Sequence, residues 1–345
     1  MTLTRIQQTR LANLSFTHLT GKSGRNPTAV FVGGTSGVGE GMARVFAQHT
    51  NGNADIIIVG RNADAAEKIL RSLPVGSAIE GGSLPARTFH RCDVSLLKNV
   101  ASLTKTILSQ HPKINYLILT TGFVSLARRT ETSEGLEDRL AVHYYSRWKF
   151  IYDLLPAIQK ARDSGEEGGV MTVYGPNKGL YINAGDSVLD WDLKGESWSS
   201  RTYNNFMIES FAALHPSISF VHSHPGWVRT PLGANSPSFL IRVADHLKFL
   251  LSPWLVSIEE GGEYMWRGLY RHGGIRYDDE QKLEEGGKGG AWWTGWYGDD
   301  LEKPPPASKQ VTKDRKVEAL LWEHTSGVVG SSLKDYILER ERLMN

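Results

Sequence analysis

Residues 29–39 read AVFVGGTSGVG, and this stretch decides the fold class of the chain. The apolar and β-branched run at 29–32 is typical of a buried strand, and a helical pattern begins at Glu40. Gly33, Gly37 and Gly39 lie between the two. Glycine lets the backbone approach an anion closely, and the N–H groups and dipole of a helix N-terminus favour negative charge. The stretch therefore predicts a strand, a phosphate-binding turn and a helix.

A second strand-like run, residues 55–59 (DIIIV), follows one helix later and ends at Gly60-Arg61-Asn62. In a dinucleotide-binding βαβ unit this strand end lies beside the adenosine ribose, where an acidic residue would accept from the 2′-hydroxyl of NAD. Arg61 stands there instead, and a guanidinium matches a 2′-phosphate in charge and geometry. The sequence therefore predicts NADPH as the cofactor. The alternative interpretation of Arg61 is a solvated turn arginine.

Strand-like runs recur with helical patterns between them, at 29–32, 55–59, 88–90, 116–119, 170–173 and 218–222. This alternation predicts an α/β fold, a doubly wound parallel sheet (Rossmann fold) with helices on both faces. We expect one domain, residues 28–272, to bind nucleotide and substrate. Residues 1–27 are predicted to be an N-terminal extension. Residues 273–345 are predicted to be a Gly-, Trp- and Pro-rich loop followed by a short helix at 317–324.

The composition is that of an ordinary globular protein, with 40% hydrophobic and 22% charged residues. The net charge is +2 with no long basic run, so no nucleic-acid partner is predicted. The single cysteine, Cys92, excludes an intrachain disulfide and fits a reducing compartment, so we expect a cytoplasmic location. No run approaches the length of about eighteen apolar residues that a transmembrane segment needs. No metal site is predicted.

Four motifs, taken together, resemble those of the short-chain dehydrogenase/reductase family over about residues 28–270. The family's TGxxxGxG motif is similar to residues 32–39, and its adenine-contacting DV segment to residues 92–95 (CDVS). Residues 120–122 (TTG) stand where the family has NAG, and residues 224–230 (HPGWVRT) resemble the PGxVxT segment beside the nicotinamide. The cofactor-binding residues that these motifs imply are Gly33, Thr35, Ser36, Gly37, Val38, Gly39, Arg61, Asn62, Asp93, Val94, Thr121, Gly122, Pro225, Gly226, Val228 and Thr230.

The catalytic Asn–Ser–Tyr–Lys group of that family has no full counterpart here. In the family, the tyrosine protonates the carbonyl oxygen with help from the other three residues. His143 stands at the asparagine position, with a packing or capping role as the alternative. Tyr174 and Gly175 follow the fifth strand, where the serine belongs. Tyr203 is followed by Met207, where the YxxxK spacing would place lysine. The candidate catalytic residues are therefore Tyr203, His143 and Tyr174.

The spacing of the tyrosine leaves further positions open. Tyr203 lies about two helical turns closer to Pro225 than the resemblance implies, which moves the catalytic position towards Ser197 or Trp198. Two YxxxK strings occur elsewhere, at 174–178 and 145–149. The first follows a strand at the cleft, and the second lies on the helix that carries His143.

The reaction also has alternatives. Ketone reduction needs a positioned acid, hydride addition to an iminium needs none, and enone reduction can take its proton from water. A non-redox isomerase or cyclase, and a nucleotide-binding pseudoenzyme, are the alternatives from other classes. The glycine-rich turn and the other cofactor-binding motifs, together called the nucleotide cradle, are present. The sequence therefore predicts an NADPH-dependent reductase with a non-standard catalytic site. The resemblance is to fungal secondary-metabolism members, which implies a small metabolite as substrate.

Aromatic residues predict a large, apolar substrate pocket. Trp227 follows the Pro-Gly turn, and Trp292, Trp293 and Trp296 either close over the pocket or pin down the Gly-rich loop. The resemblance also implies pairing through the two helices that flank the fifth strand. A homodimer is therefore a candidate assembly, although the insertion at 175–197 could alter that face.

Overall fold

Parallel strands form the centre of the protein. The structure is a computed structural model, and it describes residues 3–16, 26–77, 84–125, 129–176, 196–231, 233, 238, 242, 255–273, 276–277, 283–284, 289–301 and 315–330. The strands are β1 (Thr28–Val32), β2 (Asp55–Gly60), β3 (Arg87–Arg91), β4 (Tyr116–Leu119), β5 (Gly169–Val173), β6 (Ser219–Ser223), β7 (Arg276–Tyr277), β8 (Leu283–Glu284) and β9 (Gly290–Thr294). Within the described ranges, seven of them form one parallel sheet in the order β3-β2-β1-β4-β5-β6-β9. β7 and β8 pair separately and antiparallel. The predicted doubly wound sheet is confirmed.

Helices cover both faces of this sheet. They are α1 (Arg5–Phe16), α2 (Gly37–His49), α3 (Ala63–Ser72), α4 (Leu97–Gln110), α5 (Asp138–Leu140), α6 (Ser146–Asp163), α7 (Glu196–Leu214), α8 (Ile258–Gly273) and α9 (Arg315–Val329). A π-helical turn, Ala141–Tyr145, joins α5 to α6. Such turns are rare and frequently lie at functional sites.

Alternate side chains of the central strand β1 enter two separate cores. Val30 and Val32 belong to the core that α4, α6, α7 and α9 form with the sheet. Ala29 and Phe31 belong to the core on the opposite face, with α2, α3 and α8. A strand buried on both faces reads as a continuous apolar run, which explains why residues 29–32 were recognisable in the sequence.

The two helices of the second core approach closely through glycine. A Cβ on Gly41 of α2 would stand 1.9 Å from the carbonyl oxygen of Ile258, and one on Gly262 of α8 would stand 2.7 Å from the carbonyl carbon of Gly41. The indole N–H of Trp266 donates to the carbonyl oxygen of Met42 at 2.8 Å across the same contact. This contact fixes α2, and with it the glycine-rich turn at the N-terminus of α2.

Strand β9 comes from the segment for which the sequence predicted a loop. Its residues pair with β6, placing Trp292 beside Val221 and Trp293 beside His222. Trp293 is buried, and its indole N–H donates to Asn205 Oδ1 at 2.9 Å. These two tryptophans therefore build a sheet edge, and they form neither a lid nor a pin for a loop.

The C-terminal helix α9 covers part of the two helices that flank β5. Trp322 packs against Trp148 of α6 and Phe211 of α7, with ring centroids 5.2 and 5.1 Å apart. The hydroxyl groups of Tyr144 and Thr325 are 2.8 Å apart. Pairing of two copies through α6 and α7, as the resemblance implies, would therefore have to include α9.

The contact between α7 and α9 predicts a pH effect on stability. Burial, and secondly the neighbouring Glu318 of α9, raise the pKa of Glu209 from 4.5 to about 8. The unfolded chain therefore releases this proton at lower pH than the folded chain, and folding stability falls as pH rises from about 4.5 to about 8. Glu209→Gln should remove that loss. The difference in the free energy of unfolding between Glu209→Gln and the parent should grow by roughly 1 kcal/mol per pH unit over this range.

Thermal unfolding at about pH 5 and about pH 8 measures the effect of Glu209→Gln. Glu323→Gln, at an exposed position of α9, is the control and should change stability little at either pH. A Glu209→Gln advantage that is equal at both pH values would contradict the explanation.

Candidate active site

The glycine-rich turn between β1 and α2 is shaped to receive a phosphate group. Gly33 and Gly37 have φ angles of 90° and 60°, which favour glycine. A Cβ on Gly39 would stand 2.5 Å from Thr120 Oγ1 and 2.6 Å from the carbonyl oxygen of Gly33. Ser36 is the N-cap of α2, but its side chain makes no capping hydrogen bond. The backbone can therefore approach an anion closely at the helix N-terminus, and the turn fits a dinucleotide pyrophosphate.

The loop after β6 lies against this turn. A Cβ on Gly37 would stand 3.0 Å from Thr230 Cγ2, so the two segments are in contact. Gly226 has a φ of 69°, and its N–H donates to His224 Nδ1 at 2.9 Å. Val228 is buried and forms an isolated bridge with Val256. Of the four residues predicted in this loop, Thr230 thus touches the glycine-rich turn, and Pro225, Gly226 and Val228 lie on the segment that leads to it.

At the other end of the turn, Arg61 is exposed just beyond β2. A Cβ on Gly60 would stand 2.6 Å from Thr35 Cγ2, so Thr35 packs directly on the residue before Arg61. Arg61 therefore follows directly on the residue that Thr35 contacts, and a guanidinium is a preferred partner of a phosphate. Asn62 has a structural task here, because its side chain accepts from the N–H of Ala65 at 3.0 Å and caps α3.

The remaining predicted cofactor residues occupy the loops after β3 and β4 and the start of α2. Asp93 is exposed, and its carboxylate accepts from the N–H and the hydroxyl of Ser95 at 3.1 and 2.8 Å. Val94 is buried beside it. Val38 packs, partly buried, against the core of α2 and α8. Thr121 and Gly122 follow β4, at the same edge of the sheet as the glycine-rich turn.

Tyr174 and His143 meet at the carboxyl end of β5. The Tyr174 hydroxyl lies 3.0 Å from Ser200 Oγ and 3.4 Å from His143 Nδ1. His143 Nε2 accepts from the N–H of Phe123 at 3.1 Å. Because Nε2 accepts, the neutral ring carries its hydrogen on Nδ1 and donates it to the Tyr174 oxygen. The Tyr174 O–H is then directed towards Ser200 or a substrate.

His143 acts in its neutral form at this position. Burial, followed by the charges of Arg147, Arg201 and Arg139, lowers its pKa from 6.5 to about 3. The ring stacks on Tyr174 with centroids 4.9 Å apart, and a Cβ on Gly122 would stand 3.1 Å from Nε2. His143 therefore orients the phenol and connects it to the loop after β4, and it does not serve as a charged acid.

Tyr203 lies elsewhere, in the hydrophobic core. It is 3% exposed, its ring centroid is 5.3 Å from that of Tyr144, and Met207 one turn later is buried in the same core. The face of α7 towards Tyr174 carries Ser200 and, four residues on, Asn204. The structure therefore brings Tyr174 and His143 together and places Tyr203 in a packing position.

Asn204 holds the π-helical turn against β5. Its side-chain N–H₂ donates to the carbonyl oxygen of His143 at 2.9 Å, and its Oδ1 accepts from Thr172 Oγ1 at 3.0 Å. Ser200 and Asn204 are not among the residues predicted from the sequence. Their i, i+4 spacing, the spacing of YxxxK, was the available signal.

Of the two YxxxK sequences, the one at 174–178 contributes Tyr174 to this centre, and the one at 145–149 contributes no residue to it. Tyr145 bonds His324 of α9 at 2.8 Å, and Lys149 pairs with Asp153 at 2.8 Å. Lys178 and the side chains of Ser197 and Trp198 lie outside the described residues. Within the described ranges, no group of three or more His, Cys, Asp or Glu side chains is placed to hold a metal ion. No helix in the part of the chain that the structure describes is long and apolar enough to cross a membrane.

Comparison with known proteins gives relatives that match two thirds or more of this chain. No protein-family model matches the chain. Oxidoreductase AN1596 of Emericella nidulans is 32% identical over 89% of this chain and 94% of its own length. Oxidoreductase andH of Emericella variicolor is 34% identical over 68% and 67% of the two chains. Short-chain dehydrogenase/reductase SAT2 of Stachybotrys chartarum is 26% identical over 70% and 72%.

Solved structures share the fold. An alcohol dehydrogenase from the archaeon Thermococcus sibiricus, complexed with 5-hydroxy-NADP, superimposes with a TM-score of 0.53 at 17% identity, covering 81% of this chain and all of that one. The sheet order and the glycine-rich turn define a Rossmann-type oxidoreductase. The chain belongs to the short-chain dehydrogenase/reductase family.

Proposed function

We propose that the protein is an NADPH-dependent reductase of a small, largely apolar secondary metabolite, with Tyr174 as the proton donor. One observation carries the proposal. The Tyr174 hydroxyl lies at the carboxyl end of β5, hydrogen-bonded to His143, whose ring contacts the loop after β4 beside the glycine-rich turn. The hydroxyl proposed as the proton donor therefore lies at the edge of the sheet where the glycine-rich turn lies.

Different residues of the nucleotide cradle would bind different parts of the cofactor. Gly33, Gly37 and Gly39 would hold the pyrophosphate, the Thr35–Arg61 corner the 2′-phosphate, and the 224–230 loop the nicotinamide end. A bound reduced nicotinamide supplies a hydride to the substrate carbon. Tyr174 releases its proton to the substrate oxygen as charge develops there, and the His143 Nδ1–H stabilises the phenolate that remains. The hydroxyl of Ser200, 3.0 Å from that of Tyr174, can donate a hydrogen bond to the phenolate as well.

An aromatic surface supports an apolar substrate. Trp227 is 63% exposed and Trp296 is 40% exposed, and both lie on or against the loop after β6. Trp296 packs on Gly226 and stacks with His224, with ring centroids 5.6 Å apart. Exposed tryptophans beside a predicted nicotinamide site can bind a flat or polycyclic molecule by burying its apolar face.

A cytoplasmic location is part of the proposal. Cys92 is buried, and burial raises the pKa of its thiol to about 11, with a smaller contribution from Asp93. A buried thiol of this kind is unreactive and needs no oxidising environment. The partners proposed are the nucleotide and a small-molecule substrate.

Arg61→Ala tests the cofactor. The parent should bind NADPH more tightly than NADH, and Arg61→Ala should reduce that preference by about tenfold or more, because a charge-assisted bond to the 2′-phosphate is lost. Fluorescence titration with both nucleotides gives the ratio. Arg71→Ala, which removes an exposed arginine paired with Glu67 on α3, is the control. Equal affinities of the parent for the two nucleotides would contradict the cofactor assignment.

The class of reaction is tested by following NADPH absorbance with a panel of apolar ketones, enones and iminium compounds. Loss of absorbance in step with product formation is the expected result. Product formed at constant absorbance would favour the isomerase or cyclase alternative. Absence of nucleotide binding would favour a scaffold.

A further inference from the structure

Arg147 is a cation buried beside the candidate active site. It lies at the start of α6, one turn after His143, and is 1% exposed. Its Nη1 donates to Thr172 Oγ1 and to the carbonyl oxygen of Val173, and its Nη2 donates to the carbonyl oxygen of Thr121 at 2.6 Å. All three acceptors are neutral, and no carboxylate among the described residues forms an ion pair with it. A buried charge without an opposite charge costs free energy, so its position requires an explanation.

The position of Arg147 relative to Tyr174 supplies that explanation. The guanidinium carbon lies 5.3 Å from the centroid of the Tyr174 ring, over its face. The carbonyl group of Val173 that Arg147 holds belongs to the peptide bond preceding Tyr174. Arg147 therefore fixes the backbone that carries the phenol and places a positive charge beside it. In a site shielded from water, a charge at this distance interacts strongly with an anion.

The electrostatic interaction between Arg147 and an ionised Tyr174 is attractive. Burial lowers the pKa of Arg147 from 12.5 to about 10, and Tyr174 acts in the opposite direction and raises it. A positive charge on Arg147 and a negative charge on a phenolate beside it attract each other.

We infer that Arg147 is a positioning residue for proton transfer, a cation held against Tyr174 that stabilises the phenolate left when the proton moves to substrate. The inference rests on the proposed role of Tyr174. In the step, the O–H bond of Tyr174 breaks and its proton joins the substrate oxygen, while a hydride from the reduced nicotinamide joins the substrate carbon. By resemblance a lysine on α7 would supply this charge, and here Arg147 supplies it from α6.

Arg201 is the competing source of charge. Its guanidinium carbon lies 5.1 Å from the same ring centroid. Its Nε and Nη1 atoms are also buried, so burial does not separate the two arginines. Arg147 is distinguished by its hydrogen bond to the carbonyl group of Val173, which precedes Tyr174. We therefore assign the larger effect to Arg147, and Arg201→Gln is the comparison that tests this assignment.

The experiment measures the ionisation of Tyr174 directly in the full-length protein. The chain has 12 tyrosines, so ring-¹³C-labelled tyrosine is followed by NMR through a pH titration with NADP⁺ present, and Tyr174→Phe assigns the signal. Arg147→Gln keeps a hydrogen-bond donor and removes the charge, whereas Arg147→Lys keeps the charge. Arg147→Met is a second neutral variant, because apolar residues often replace a buried charge without loss of the fold.

In the neutral variants the Tyr174 signal should titrate at least about one pH unit higher than in the parent, and in Arg147→Lys close to the parent. Turnover of the neutral variants should fall by about 10- to 100-fold, with the KM for NADPH changed by less than about threefold. An unchanged titration in Arg147→Gln and Arg147→Met, or a larger shift in Arg201→Gln, would overturn the inference.

The two proposals fail in different ways. If Tyr174→Phe keeps full turnover, the proposed function of Tyr174 is wrong whatever the NMR titration gives. If Tyr174→Phe is inactive but the titration of Tyr174 does not respond to Arg147, only the role of Arg147 is wrong.

Discussion

Tyr174→Phe is expected to lower turnover by about 10²- to 10⁴-fold while the affinity for NADPH changes by less than about threefold. The substitution removes one oxygen from a ring whose neighbours otherwise stay in place. The lost hydroxyl is the group that Ser200 and His143 hold at 3.0 and 3.4 Å. Single-turnover absorbance measurements of NADPH oxidation, with nucleotide binding measured separately, isolate the proton-transfer step.

Tyr203→Phe is the matched comparison, because it removes the same atom from a tyrosine in the core. Turnover of this variant should stay within about threefold of the parent, with any effect limited to stability. Large loss in Tyr203→Phe together with normal turnover in Tyr174→Phe would reverse the assignment. Normal turnover in both variants would instead favour a reaction that takes its proton from water.

Gly39→Ala is expected to weaken NADPH binding by about 100-fold or more. The added Cβ would stand 2.6 Å from the carbonyl oxygen of Gly33 and 2.5 Å from Thr120 Oγ1, so the turn has to open. Opening moves the N–H groups at the start of α2 away from the position where they meet a phosphate. A loss of two or three charge-assisted hydrogen bonds of about 1.5–3 kcal/mol each accounts for an effect of this size.

Gly327→Ala is the control for Gly39→Ala, since no atom lies within 4 Å of a Cβ at this position of α9. Its NADPH affinity should equal that of the parent. Circular dichroism and thermal unfolding of both variants establish that the fold is retained. Parent-like NADPH binding by folded Gly39→Ala would show that the cradle does not hold the pyrophosphate.

Strands buried on both faces were recognisable in the sequence because their apolar runs are continuous, as in residues 55–59 of β2. Strand β9 was not, because two tryptophans between glycines give no alternation and their partner β6 is distant in the chain. Helix α1 was also missed, because it is polar along most of its length. Asn13 secures it instead, donating to Glu263 of α8 at 2.8 Å.

The candidate site, too, could be predicted from the sequence only in part. The glycines of the nucleotide cradle could be identified in the sequence because they lie within one short stretch of the chain. Tyr174 could be named as a candidate from its place after β5, but its contact with Ser200 spans an insertion, and sequence spacing cannot measure such a contact. For Arg147 the sequence contains only a weak indication, namely its place one helical turn after His143. Its burial depends on how α6 packs on β5, and only the tertiary structure gives that.

Strand β9 has a consequence for the order in which the protein can assemble during synthesis. The N–H of His224 donates to the carbonyl oxygen of Thr294 at 2.9 Å, so the loop predicted to line the nicotinamide rests on a strand made 70 residues later. A nascent chain that has emerged only as far as β6 presents a bare sheet edge and an unsupported loop. The loop therefore lacks this support until translation has passed residue 294, and until then the edge of β6 has no partner strand and can pair with another chain.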